Sequence, residues 1–396
     1  KRHAAAPGQG PRVIVTADDC GYSTPRDDGI LEAFEAGLIS RGSVMVNGMT
    51  ARQMVARAVL VGMPVGLHLN LTEGLPLSPP SAIPSLVTMD PEYGKAVFWG
   101  KGAFHARAAE GLLDPADVRT EAQAQLHALE RMLEAAQRRS VHGGGDCAPH
   151  PSGVSDTLPP TGGVPARGRT RGISHVDGHQ HCHVHPGLAA VLGPLFAEHR
   201  VPSIRLPLLS RAEDQSEALA SGGSQYTKRA FIERVSALAA VSRAVYAACG
   251  LRAPIAFVGF ACMGREMRRS RRVAALVVAA HRQATAGLAS LESSRRRSDL
   301  RLAASSASVG LDEVELMSHP GNATTPDSVR AAATRFPASA DAPSSAASRI
   351  EALAGCGCGP DAFAASDDRL QETTSLAAVG AELRALGASV AVCVGD

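Results

Sequence analysis

The sequence predicts an α/β fold in which parallel strands alternate with helices to form a (β/α) barrel. Short β-branched or apolar runs alternate with segments of helical periodicity, a pattern typical of consecutive βαβ units. Ionisable residues also stand at or just after the carboxyl ends of four predicted strands. In such a barrel these strand ends converge on one face, where active sites are built. The residues concerned are Asp18, Asp19, His68, His179 and His319.

The first seventy residues predict three strands separated by two helices. Residues 12–16 are a largely β-branched run that leads into the carboxylates Asp18 and Asp19, which predicts a buried strand. Pro25 favours the first turn of a helix, which ends at Gly37. The other elements of this part are a strand over 43–46, a helix over 51–60 and a strand over 65–70.

The middle of the chain contains the clearest helix signal and the first predicted insertion. Asp114 is a suitable N-cap for a helix that ends near Arg139, with apolar residues recurring along one face from Val118 to Ala136. Residues 140–171 are rich in glycine, proline and serine without periodicity, so we expect an inserted loop there. The serine- and alanine-rich segments 287–310 and 322–355 predict two more loops within a single domain over 1–396.

The second half continues the alternation of strands and helices. Five arginines between Arg265 and Arg272 are interpreted as the solvated start of a helix, because nothing nearby favours nucleic-acid binding. The predicted elements are a helix over 186–199, strands over 203–206, 255–258 and 314–317, a helix over 366–386 and a strand over 389–392.

The composition argues against several classes of function. A formal net charge of +2 and an aromatic content of 4% do not favour a nucleic-acid or membrane surface. No apolar run is long enough to span a bilayer, and no secretory signal is visible, so we expect a cytoplasmic protein. The eight dispersed cysteines fit reduced thiols. The sequence leaves the oligomeric state open, a homodimer included.

Residues 175–186 hold five of the fourteen histidines. On an extended strand, residues two apart share a face, so one side would carry His175, Asp177, His179, His181 and His183. Buried imidazoles need polar partners, so this row favours a metal or proton-transfer site over packing. At about 3.3 Å per residue the row is too long for one ion, so one or two rings would bind it and the others would support them.

Three further motifs allow both a structural and a chemical interpretation. Asp18 and Asp19 could cap a helix, or one could bind a metal while the other acts as general base. His68 could be a half-buried ring bonded to a carbonyl, or a nitrogen ligand. His319 could simply end a strand at the Pro-Gly turn, or protonate a leaving amine.

Taken together, the motifs resemble the YdjC/ChbG family of carbohydrate deacetylases, in order and approximate spacing from about Arg12 to the C-terminus. Cys20 stands where an aromatic residue is common in that family. The motifs are Thr16-Ala-Asp18-Asp19-Cys-Gly21, Val46-Asn47-Gly48, Gly66-Leu-His68-Leu-Asn-Leu71, His175-Val-Asp177-Gly-His179-Gln-His181-Cys-His183 and Leu316-Met-Ser-His319-Pro-Gly321.

The resemblance implies an irregular, TIM-barrel-like (β/α) fold that removes N-acetyl groups from amino sugars or chitooligosaccharides. It implies Asp19, His68 and His179 as ligands of one divalent ion, Asp18 as general base and His319 as general acid. Ligand preference suits Zn²⁺ or Fe²⁺, while the resemblance allows Mg²⁺. Residues expected to orient ligands or contact substrate are Asp177, His175, His181, His183, Asn47 and Arg205.

Two other functions remain open from the sequence. One is a metal-dependent hydrolase of another amide or of an ester. The other is a non-catalytic metal- or carbohydrate-binding barrel, against which the presence of all five residues of the predicted site argues.

Overall fold

The computed structural model describes residues 11–91, 94–142, 172–220, 223–224, 227–297, 311–321 and 368–391. Seven parallel strands form the main sheet, in the order β6-β3-β2-β1-β10-β9, with β11 also paired to β1. Two antiparallel hairpins lie outside it, β4-β5 and β7-β8. The strands are β1 Arg12–Cys20, β2 Arg41–Val44, β3 Val65–Leu69, β4 Val87–Asp90, β5 Lys95–Phe98, β6 Val176–Gly178, β7 Gly223–Ser224, β8 Thr227–Lys228, β9 Pro254–Val258, β10 Leu311–Ser318 and β11 Ser389–Val390.

Helices connect the parallel strands, as the sequence predicts. They are α1 Thr24–Glu35, α2 Ala51–Val61, α3 Lys101–Ala109, α4 Pro115–His142, α5 Pro186–Glu198, α6 Arg211–Asp214, α7 Glu217–Ala220, α8 Arg229–Ala248, α9 Ser270–Arg297 and α10 Asp368–Ala385. Short 3-10 turns span Pro80–Ala82, His179–Val184 and Gly264–Arg268. The parallel α/β class is therefore confirmed. Within the described residues, no helix is both long and apolar enough to cross a bilayer.

The apolar face predicted for α4 is buried in the core. Val118, Ala122, Leu126 and Leu129 are each 0% exposed, and the helix packs against α2 and α5. Helical spacing places these residues on one stripe, and its burial against neighbouring helices stabilises α4 more than helix propensity alone would.

The strand predicted over 203–206 is reduced to two single-residue bridges. Ile204 pairs with Val176 of β6, and Ser203 pairs with Arg252, two residues before β9. Both bridges are parallel and lie between the two edge strands of the sheet. The sheet is therefore curled, with its edges joined by isolated contacts instead of a full strand.

Two boundaries of the predicted insertions need correction. Helix α4 continues through residues 140–142, and α9 continues through 287–297. Seven of the eleven residues of the second segment are leucine, alanine, glutamate or arginine, which favour a helix, although the apolar pattern is weak. The rest of the predicted insertions, residues 143–171, 298–310 and 322–355, lies outside the described residues.

The prediction that the histidines lie along one face of an extended strand is also wrong. Strand β6 ends at Gly178, and the chain then turns through Gln180 and His181, whose φ angles of 51° and 60° are left-handed. A Cβ atom on Gly178 would lie 2.5 Å from Nδ1 of His183, so the ring of His183 folds back over this glycine. The turn places the histidines on different sides of the chain, which a regular strand would not allow.

Candidate active site

The carboxyl ends of the parallel strands meet around one cleft with a volume of about 190 Å³. Its polar side is formed at the ends of β1, β3, β6 and β10, as predicted from the positions of the ionisable residues. The polar residues there are Asp18, Asp19, His68, His179 and His319. The rest of the lining includes Lys101, His181, Phe231, Phe260, Met263 and Met317.

Asp18 and Asp19 both reach the cleft although they are neighbours in the chain. In a regular strand, consecutive side chains point to opposite faces. Here the pairing of β1 with β2 shifts register between Ala17 and Cys20, and Asp19 adopts a left-handed φ of 58°. Aspartate tolerates this conformation better than most residues. The irregularity brings both carboxylates to the same site.

Asp19, His68 and His179 form a compact triangle of potential ligand atoms. Oδ1 of Asp19 lies 3.2 Å from Nε2 of His68 and 3.0 Å from Nδ1 of His179, and the two ring nitrogens are 3.3 Å apart. All three residues are buried. Ligands about 2.1 Å from one ion lie roughly 3.0–3.4 Å from each other, so the triangle fits a divalent cation.

Carboxylates outside the triangle orient both imidazoles. Nδ1 of His68 donates a hydrogen bond to Oδ1 of Asp177 over 2.7 Å. Oε1 of Glu73 lies 3.1 Å from Nε2 of His179. Each carboxylate therefore favours a proton on the outer nitrogen of its imidazole, and the inner nitrogen points to the place where a cation would bind.

The site is strongly electronegative. Burial lowers the pKa of His179, but Glu73 and Asp19 outweigh it and raise this pKa to about 10. Burial has the same effect on His68, where Asp177 and Asp19 raise the pKa to about 9. In the apo protein both rings thus take up protons that neutralise the carboxylates. The same negative charge favours a bound cation.

Asp18 is clamped by Arg205, which is 0% exposed. Nη1 and Nη2 of Arg205 donate to Oδ2 and Oδ1 of Asp18 over 2.6 and 2.7 Å. The guanidinium also lies 2.9 Å from Asp177 and 3.0 Å from Glu315. Burial raises the pKa of Asp18 to about 6, although the charge of Arg205 opposes this shift.

His319 lies beside Asp18, with its Nε2 3.9 Å from Oδ2 of that carboxylate. The backbone N–H of His319 donates to Oε2 of Glu372 on α10 over 2.6 Å. Oε1 of the same glutamate accepts from the N–H of Gly264 over 2.6 Å. Glu372 is fully buried, and it ties the loop after β10 to the turn that follows β9.

The remaining predicted residues divide between the cleft and the interior. His181 lines the cleft and packs edge-on against Phe260. His175 and His183 are each 0% exposed and lie outside the cleft lining, so neither can contact a substrate there. His183 donates from Nε2 to the carbonyl of Arg205. Asn47 also lies outside the lining and accepts from Nδ2 of Asn70 over 3.2 Å.

Sequence reasoning missed Glu73, Arg26, Glu315 and Glu372. Glu73 follows the strand of His68 by only a few residues, so its position past the strand end was a usable signal. Arg26, whose Nη1 lies 3.3 Å from Asp19, stands in the first turn of α1. The other two had no local signal, because Glu372 lies in the second turn of α10 and Glu315 lies within β10, away from the strand end.

Comparison with known proteins places the chain in a family. The family model described as YdjC-like protein matches residues 12–137 and 167–376. The chain belongs to the YdjC-like family. The resemblance inferred from the motifs is therefore confirmed, and the match includes every residue of the predicted site.

Relatives of this YdjC-like protein are named as deacetylases. A human "Carbohydrate deacetylase" is 30% identical over 370 residues, 93% of this chain and 84% of the human protein. The mouse protein of the same name is 31% identical over 367 residues, 93% of this chain and 88% of its own. A "Chitooligosaccharide deacetylase" from Serratia marcescens is 38% identical over 114 residues, 28% of this chain and 41% of the bacterial one. These relatives confirm the prediction of a deacetylase, which is a hydrolase.

The fold is shared with a solved structure from Enterococcus faecalis, described only provisionally as a cellobiose-phosphate cleavage protein. It superposes with a TM-score of 0.51 at 16% identity and covers 96% of this chain and 97% of its own. At this identity, the likeness bears on the fold alone.

Proposed function

We propose that this YdjC-like protein removes N-acetyl groups from acetylated amino sugars or chitooligosaccharides, with one divalent cation held by Asp19, His68 and His179. The observation that carries the proposal is the triangle of their three ligand atoms, with separations of 3.0–3.3 Å, in a cleft that also contains Asp18 and His319. Mg²⁺ and Zn²⁺ are the candidate ions, and two imidazoles with one carboxylate favour Zn²⁺. When bound, such an ion lowers the pKa of water and polarises a carbonyl.

Asp18 is proposed as the general base. Arg205 occupies one lone pair of each carboxylate oxygen, so each oxygen keeps another with which to accept a proton from the attacking water. A pKa of about 6 leaves the carboxylate ionised at neutral pH yet basic enough to take that proton. Arg205 keeps its own charge throughout and acts as a positioning residue.

His319 is proposed as the general acid that protonates the departing nitrogen. Water adds its oxygen to the acetyl carbon, the C–N bond breaks, and acetate and a free amine result. The carboxylate of Glu372 lies 4.0 Å from Nδ1 of His319. Because Nε2 of His319 is 3.9 Å from Asp18, base and acid face the same small region.

The cleft supports a substrate of which only one end is enclosed. Its volume of about 190 Å³ is smaller than the roughly 300–1,000 Å³ of pockets that enclose drug-sized ligands. Phe231 and Lys101 line the cleft, with Nζ of Lys101 lying 4.2 Å from the centre of the Phe231 ring, so a sugar would meet an aromatic ring and a hydrogen-bond donor side by side. We propose that one acetylated sugar enters the cleft and that further sugars of an oligomer lie outside it.

The proposed function is tested by acetate release from N-acetylglucosamine oligomers. We expect release by the purified protein, its loss after dialysis against a chelator and its recovery when Zn²⁺ or Mg²⁺ is added back. Release that survives the chelator would contradict the metal-dependent mechanism. If a substrate panel shows turnover only of other amides or of esters, the proposed substrate class is wrong. If no compound is turned over, the result favours a non-catalytic binding protein.

Glu73→Gln is expected to weaken the binding of the cation about 10–100-fold, because His179 loses the carboxylate that faces its Nε2. Metal affinity is measured by titration of the apo protein. The control is Glu35→Gln on the exposed end of α1, which should bind as the unmodified protein does. Equal affinities for both variants would show that Glu73 does not orient His179.

The curled sheet also supports a proposal about the fold as a whole. We propose that residues 1–396 form one domain with an irregular TIM-barrel-like fold. Residues 203–204 occupy the position that a strand between β6 and β9 would have in a regular barrel. The two bridges of Ser203 and Ile204 favour this arrangement.

A further inference from the structure

A second group of metal-ligating side chains lies on the outer surface, where α4 packs against the end of α5. His127 and Glu130 are three residues apart on α4 and therefore on the same face of that helix. His199 directly follows the last residue of α5 and is its C-cap. One potential ligand atom from each of the three lies within 4.8 Å of the other two.

The three side chains are already held close to one another. Nδ1 of His199 donates to Oε1 of Glu130 over 2.7 Å. The rings of His127 and His199 are tilted by 57° with their centroids 5.1 Å apart. The side chain of His199 is only 10% exposed and that of Glu130 is 35% exposed, while His127 is exposed and already has a ligand atom within 4.8 Å of theirs. Two ligands are thus nearly positioned, and the third can close on an ion.

We propose that His127, Glu130 and His199 form a second metal site. It binds a divalent ion from the end of the first transition-metal row, such as Zn²⁺, and this ion bridges α4 and the end of α5. Two imidazole nitrogens with one carboxylate oxygen are ligands that Zn²⁺ prefers, whereas Mg²⁺ prefers oxygen ligands and retains its waters. An ion bound at Nδ1 of His199 takes the place of the hydrogen bond to Glu130, and the neutral ring then carries its one proton on Nε2. The exposure of His127 leaves a fourth position open to water.

This site is separate from the cleft. The segment that contributes His179 leads into the start of α5, and His199 directly follows the end of the same helix. The 13 residues of α5 separate its two ends by about 20 Å. An ion between α4 and α5 therefore acts on the stability of the helical layer and not on the reacting groups.

Zinc counting by equilibrium dialysis at micromolar Zn²⁺ tests the proposal. We expect His127→Ala to bind one Zn²⁺ fewer than the unmodified protein. The change should not disturb the fold, because the side chain is exposed and alanine favours a helix. The difference should persist in a background that carries His68→Ala and His179→Ala, so a failure of the proposed cleft site cannot be mistaken for a failure of this one.

A matched pair of glutamates on α4 provides the control. Glu130→Gln should also lose one Zn²⁺, whereas Glu134→Gln should not, because Glu134 is 63% exposed and pairs with Arg138 one turn later. Zn²⁺ should raise the Tm of the double-histidine background by about 2 °C or more, and Mg²⁺ should not. Equal zinc counts for the unmodified protein and His127→Ala, or a difference only at millimolar Zn²⁺, would overturn the proposal.

Discussion

Replacing Asp18 with asparagine is expected to lower kcat by about 10²–10⁴-fold while the cation stays bound. The amide is nearly isosteric and can still accept one hydrogen bond from Arg205, but it cannot take a proton from water. Asp18 is not part of the triangle formed by Asp19, His68 and His179. The measurement is acetate release per bound metal ion, with metal content determined on the same sample.

The neighbouring carboxylate provides the matched control for this prediction. Asp19→Asn removes the only carboxylate of the triangle, so we expect the cation and the activity to be lost together. If Asp18→Asn loses the metal as well, or if it keeps full turnover, the proposed division of roles between the two aspartates is wrong.

Replacing Arg205 with methionine is expected to lower the free energy of unfolding by about 3–5 kcal/mol. Arg205 is fully buried and lies within 3.0 Å of oxygens of Asp18, Asp177 and Glu315. Methionine approximates its aliphatic stem but leaves these carboxylates in the interior with much of their compensating charge removed. Urea unfolding followed by circular dichroism measures the loss.

An exposed arginine distinguishes this effect from the loss of any ion pair. Nη2 of Arg119 lies 2.6 Å from Glu198, but their side chains are 39% and 53% exposed. Surface pairs contribute about 0–1 kcal/mol, so Arg119→Met should unfold within about 1 kcal/mol of the unmodified protein. If both arginine variants unfold alike, the buried network does not hold these strand ends together. If Arg205→Met fails to fold while Arg119→Met folds normally, the loss of unfolding free energy at Arg205 is at least as large as predicted.

The order of elements was predictable because its signals are local. β-branched runs, Pro25 at the start of α1 and the apolar stripe of α4 each depend on residues close in the chain. The same holds for the ionisable residues at strand ends, since a parallel sheet brings those ends to one edge. The cleft around Asp18, Asp19, His68, His179 and His319 follows from that rule.

The histidine segment shows where local reasoning fails. Alternating histidines predict one face of a strand, yet β6 lasts three residues and the chain turns at Gln180 and His181. The carbonyl of Gln180 accepts from Nε2 of His105 on α3, a contact from a distant element that supports the left-handed turn. A turn that depends on distant contacts leaves no periodicity in the sequence.

By itself, the sequence determined the α/β class, the residues at the strand ends and the membership of the family, because hydrophobic periodicity and ordered motifs are properties of the chain alone. Only the tertiary structure decided which histidines meet. It joined His179 to Asp19 and His68, buried His175 and His183, and clamped Asp18 with Arg205. The physical reason is that a buried charge must find its partner in space, and Arg205 lies 187 residues after Asp18 along the chain.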